Sequence, residues 1–136
     1  MMINLNRLKR INVNGGDVAH AMKNSDDSFY GFGECYFSYI DKYFIKGWKK
    51  HNKMISNLIV PCGNVRFVFF DEKLNFVDDI ILGESNYSRL TVYPNLWMAF
   101  KGLDKKNIVL NVSNLEHDSS EVDQLPLSNI SYAWRS

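Results

Sequence analysis

The sequence predicts an all-β chain, either a sandwich or a barrel. Three observations carry that reading. From residue 33 onward, short apolar and aromatic runs recur about every 8 to 14 residues with turn signals between them, the pattern of many short strands. Aromatic residues make up 14% of the chain, and such side chains favour strands and the lining of pockets. No long window repeats apolar residues at the helical period.

The elements follow in order. Residues 1–28 are polar and mixed. In NVNGGDVAHAM, Gly15 and Gly16 mark a turn and Val18 and Ala19 to Met22 alternate, so a short strand or two is expected there. KNSDDS, residues 23–28, reads as a loop. GECYFSYI is an aromatic strand, and FIKGWKKH continues after a turn near Asp41 and Lys42. SNLIVPCG ends at a Pro61-x-Gly63 turn that is expected to close a hairpin onto NVRFVFFDE. FVDDIILG, YSRLTVYP, WMAFKGL and NIVLNVSN follow as further strands. Residues 115–136 form a polar tail, read as a loop or short helical turn that docks back through Tyr132 and Trp134. A chain of 136 residues suits one domain with one core.

Composition excludes several classes. The formal net charge is +1, so no global field points to nucleic acid or an acidic membrane, and any anion site must be local. No apolar run approaches the roughly 20 residues that span a bilayer. MMINLNRLKR has no apolar core of a signal peptide. Cys35 and Cys62 lack CxxC spacing and read as free thiols, consistent with a reducing cytoplasm.

The chemistry gathers in IKGWKKHNK, residues 45–53. In an extended strand, Lys49, His51 and Lys53 share one face and Trp48, Lys50 and Asn52 the other. A face with two amines and an imidazole is either a solvated edge or the wall of a wet pocket for an anion. Lysines hold phosphate as point charges, and a histidine moves protons near neutral pH. Arg66 and Arg89 are further basic positions within strands and are expected to join Lys49 around one cavity. Glu116-His117-Asp118 resembles a metal cluster only in composition and reads as a solvated loop. There is no nucleophile elbow and no glycine-rich phosphate loop.

GFGECYFSYIDKYFIKGWKKHNKMISNLIVPCGNVRFVFFD resembles the small cupins of nucleotide-sugar metabolism. These are dTDP-4-dehydrorhamnose 3,5-epimerase and its shorter relatives, including the dTDP-4-keto-6-deoxyhexose 3,4-ketoisomerases. YSRLTVYPNLWMAFKG, NVSNLEHDSSEV and ISYAW extend the resemblance in order over residues 29–134. It implies a jelly-roll β-barrel, a homodimer, and a cytoplasmic role in cell-surface polysaccharide assembly, with no cofactor. Lys49-Lys50-His51 stands where metal-binding cupins have His-x-His, and Ser56 stands where they have Glu. One imidazole cannot make a site of three or more ligands, so no metal is expected. Lys49 also takes the place of the epimerases' catalytic base, beside the matching Gly47-Trp48 pair, and Asn111 that of their acid tyrosine. By the chemistry of the residues, His51, on the same face as Lys49, is the other candidate base, and Tyr36 and Tyr39 on the preceding strand are the candidate acids, since a phenol can donate to an enolate oxygen. Lys46, Trp48, Lys53, Arg66, Arg89 and Asn111 would bind the nucleotide-sugar. A relative that binds the nucleotide-sugar or a partner enzyme without catalysis is the alternative.

Overall fold

The computed structural model describes residues 2–134. Its strands are β1 (Ile3–Arg7), β2 (Arg10–Ile11), β3 (Val18–Ala19), β4 (Glu34–Asp41), β5 (Ile45–His51) and β6 (Ser56–Cys62). They continue with β7 (Asn64–Phe70), β8 (Phe76–Gly83), β9 (Ser88–Val92), β10 (Trp97–Gly102), β11 (Lys106–Ser113) and β12 (Val122–Leu125). Two 3-10 turns, Ser119–Glu121 and Leu127–Asn129, are the helical pieces among the described residues. No helix among them is long and apolar enough to cross a membrane.

The pairing is that of one long hairpin rolled up. β7 pairs with β8, β6 with β9, β5 with β10 and β4 with β11, all antiparallel. The rungs fall into two five-stranded sheets, β1-β9-β6-β11-β4 and β12-β5-β10-β7-β8. Such a rolled ribbon is a jelly roll. β2 and β3 form a separate small ribbon around the Gly15–Gly16 turn.

The hairpin expected at Pro61–Gly63 is not formed. β6 and β7 lie in different sheets, and Gly63 turns the corner between them at φ 83°. A Cβ there would lie 2.3 Å from the Lys106 carbonyl oxygen, so the corner needs glycine both for its backbone and for its space. The reason lies in the core. Leu58 and Val60 of β6 and Val65, Phe67 and Phe69 of β7 all enter one apolar cluster. Stacking the two strands face to face buries both rows together. Each fully buried Leu or Phe stabilises the fold by about 1.5–3 kcal/mol.

A second cluster covers the outer face of the β12-β5-β10-β7-β8 sheet. Trp48, Val68, Phe70, Trp97 and Ala99 lie beneath Ile130, Tyr132 and Trp134 of the C-terminal segment. Tyr132 stacks on Phe76, and its hydroxyl donates to Asp79. The tail also contains β12, which pairs with β5 along Val122–Leu125. The sequence reading missed that strand because VDQL has no apolar alternation.

Candidate active site

One end of the space between the sheets is not filled by side chains. A cavity of about 240 Å³ remains, floored by Leu58, Phe67, Met98, Phe100 and Val109. Tyr36 and Ser38 of β4 and Asn111 of β11 form one wall. Lys46, Lys49 and His51 of β5, with Gln124 of β12, form the opposite one, and His117 stands among the lining residues from the preceding loop.

The two lysines share this wall because β5 is irregular. Met98 pairs with Lys49, but Phe100 pairs with Lys46. β5 therefore holds one extra residue, at Gly47–Trp48, opposite Ala99. Strict alternation would have sent Lys46 and Lys49 to opposite faces, and the bulge restores both to the cavity. Trp48, between them, is turned outward.

His51 is held by a carboxylate that the sequence reading did not single out. Its Nδ1 lies 2.5 Å from Glu121 Oε1. Glu121 is 4% exposed, at the end of the first 3-10 turn. Its other oxygen accepts the backbone N–H groups of Asn52, Lys53 and Met54 at 3.2, 3.0 and 3.2 Å. Burial pushes the Glu121 carboxyl up, but the His51 bond and these N–H groups outweigh it and hold it below its ordinary value. An ionised Glu121 takes the Nδ1 proton as its hydrogen bond and leaves Nε2 with a free lone pair in the neutral imidazole.

Across the cavity, Asn111 Nδ2 donates to the Tyr36 hydroxyl at 3.0 Å. Burial raises the Tyr36 hydroxyl above its ordinary value; the Asn111 bond opposes this and the Glu34 charge adds to it. Tyr36 is thus protonated at neutral pH, with its own proton available to donate. Asn111 Oδ1 is buried without a hydrogen-bond partner among the described residues.

The structure brings Tyr36, Lys46, Lys49, His51 and Asn111 together and places the other expected residues elsewhere. Trp48 is 1% exposed on the opposite face of β5, and its Nε1 donates to the Leu127 carbonyl at 3.2 Å. Arg66 also lies on the outer face, because its neighbours Val65 and Phe67 point inward; it pairs with Asp79 at 2.8 Å. Lys53 follows the end of β5 and is held through its backbone N–H, so it does not continue the face of Lys49 and His51. Arg89 is 4% exposed on the far side of the other sheet, bound to Ser28, to the Ala21 carbonyl and to Asp26. The shared cavity expected for Lys49, Arg66 and Arg89 is therefore not formed. Tyr39 is 64% exposed on the outside of β4.

His117 was read as part of a solvated loop. It is exposed, yet it lines the cavity, with its N–H bonded to Glu34. Glu121 left one local trace in the sequence. Asp118-x-x-Glu121 has capping-box spacing, and Asp118 does accept the Ser120 N–H at 2.9 Å. Among the described residues no three His, Cys, Asp or Glu side chains converge as metal ligands.

Solved structures match the whole of this architecture. A dTDP sugar isomerase from Desulfovibrio desulfuricans G20 superposes with a TM-score of 0.90 at 28% identity, over 97% of this chain and 90% of that one. The chain is a structural relative of the dTDP-sugar isomerases. A sugar 3,4-ketoisomerase from Thermoanaerobacterium thermosaccharolyticum, solved with TDP, has a TM-score of 0.78 at 18% identity, over 89% of this chain and 86% of that one. A dTDP-4-dehydrorhamnose 3,5-epimerase from Bacillus anthracis, solved with TDP and pyrophosphate, gives 0.81 at 14% identity, over 97% and 84%. At those identities the two support the fold alone. No protein-family model matches the chain, and no curated protein is similar to it.

Proposed function

We propose that this chain is a nucleotide-sugar epimerase or ketoisomerase that acts beside the 4-keto group of a dTDP-4-keto-6-deoxyhexose-like substrate. The observation that carries the reading is the His51–Glu121 pair in the cavity wall, opposite Tyr36. His51 Nε2 removes the proton α to the ketone, and the electron pair moves onto the carbonyl oxygen as an enolate. Tyr36 donates its hydroxyl proton to that oxygen. Return of a proton to the opposite face of the same carbon, with the enol proton going back to Tyr36, gives the epimer. Delivery of a proton to the former carbonyl carbon, with loss of the proton from the neighbouring enediol hydroxyl, gives the shifted ketone. Lys46 and Lys49 hold the diphosphate as point charges. Lysine, with an ordinary pKa of about 10.4, is a poor base at neutral pH beside an oriented imidazole. No step uses a metal. Ser56 and Lys49 occupy the positions where cupins that bind one have ligands.

The reading extends to one domain spanning the chain, a homodimer, and a cytoplasmic role in cell-surface polysaccharide biosynthesis. The edge strand β4 supports the dimer: Phe37 and Tyr39 are 60% and 64% exposed on it, and apolar side chains on an open edge favour association. Sedimentation at micromolar concentration should give twice the 15.8 kDa chain mass, and a monomer alone would refute the dimer.

The chemical proposal is tested by deuterium exchange from D2O into a dTDP-4-keto-6-deoxyhexose. Wild type should label the carbon next to the ketone, and His51→Asn should lose about 10²–10⁴ in rate while still binding dTDP. Binding of dTDP without any exchange by the wild type would mean a non-catalytic relative. A dead Lys49→Ala variant beside a fully active His51→Asn variant would reverse the two roles.

A further inference from the structure

A second cleft lies against the outer face of the sheet that carries β1 and β9, away from the cavity between the sheets. It has a volume of about 350 Å³ and opens between β1 and the segment 20–27. Its base is polar: Asn4 and Asn6 of β1 pair in register with Thr91 and Arg89 of β9. Arg89 is satisfied there, since Asp26 lies 3.3 Å from Nη1 and the Ser28 hydroxyl 2.9 Å from Nη2. It anchors the segment that forms the opposite wall.

The remaining charges are unbalanced. The lining holds Arg7, Lys9, Lys23 and Arg89 against Asp26 and Asp27. Four cations against two carboxylates leave two positive charges, and with Arg89 committed to Asp26 the surplus rests on Arg7, Lys9 and Lys23. The carboxamides of Asn4 and Asn6 have no hydrogen-bond partner among the described residues and can both donate and accept. Such amides beside uncommitted cations match a ligand with a doubly charged phosphoryl group and a hydroxyl-bearing body.

We infer that this cleft is a second binding site, for a small phosphate ester. The phosphoryl group meets Arg7, Lys9 and Lys23, and the sugar hydroxyls meet Asn4 and Asn6. A sugar phosphate and a nucleoside monophosphate share this chemistry. The proposal does not depend on the catalytic reading of the other cavity.

The experiment is an amide NMR titration of the full chain with glucose 1-phosphate, dTMP and inorganic phosphate in parallel. Either ester should shift amides of residues 4–9 and 20–27, and the one that binds more tightly identifies the source. The Lys9→Glu/Lys23→Glu variant, altered at two exposed side chains, should weaken those shifts by about tenfold or more, the loss expected for charge-assisted bonds. Its response at β5 and β11 to dTDP should be unchanged. An equal response to inorganic phosphate, no shift at residues 20–27, or shifts unaffected by the charge reversal would each overturn the assignment.

Discussion

The two faces of the β12-β5-β10-β7-β8 sheet are built from the same strands to opposite ends. The inner face near β5 carries Lys46, Lys49 and His51 over an open cavity. The outer face carries Trp48, Phe70 and Trp97 and is sealed by the C-terminal segment. The bulge at Gly47–Trp48 makes both possible on one strand. It inserts a large anchor on one side and keeps two cations aligned on the other. The apolar seal and the cavity are thus divided by face, and Glu121 is the residue that joins them. It arrives with the tail and ends on the histidine of the cavity.

That division can be broken from either side. The largest effect is expected on the sealed face. Trp48→Ala removes an edge-to-face contact with Phe70 at 5.4 Å and a hydrogen bond to the tail. It should cost about 3–5 kcal/mol in urea denaturation. If the faces are separate, the fraction that remains folded should still bind dTDP with near-normal affinity, and lost affinity would show the faces to be coupled.

Glu121→Gln addresses the residue that joins them. It should lower the exchange rate about 10–100-fold, the usual cost of losing an orienting partner. It should also change acid stability. The Glu121 carboxyl is held below its ordinary 4.5 in the fold. Its contribution is therefore complete above that value and is lost as pH falls through the depressed one. Denaturation midpoints followed from about pH 6 down to pH 3 should fall less steeply in Glu121→Gln than in wild type. Parallel curves would remove the carboxylate from the ledger.

Lys49→Ala tests the cavity face alone, with the smallest effect. Affinity for dTDP should fall about tenfold, with little change in the rate of the bound complex. Lys49→Arg should be mild. A collapse in rate at unchanged affinity would make Lys49 chemical rather than electrostatic.

The strands from Glu34 to Ser113 were legible because alternation and turn residues are local signals, and the aromatic strand β4 and the run SNLIVPC state them clearly. Which face a side chain occupies was legible only where the alternation ran unbroken. The extra residue in β5 breaks the alternation on one side of it: Lys46 joins Lys49, although alternation alone separates them. Arg66 was misplaced for another reason. Pro61-x-Gly63 looks the same whether it closes a hairpin or turns a corner between sheets. Glu121 lies 70 residues from His51, and no periodicity records such a partnership.

The rolled ribbon also has a consequence for folding kinetics. Its one local rung is β7–β8, joined by the turn in which Asp71 caps Lys73 and Asn75. Every later rung closes a longer loop than the one before, and β4–β11 is the longest of the four. Zipping from that turn forms the Phe67 and Phe69 core early and the wall of Tyr36 and Asn111 late. The cavity is made of the outer rungs, so a nascent or damaged chain would keep much of its core before it had any site at all.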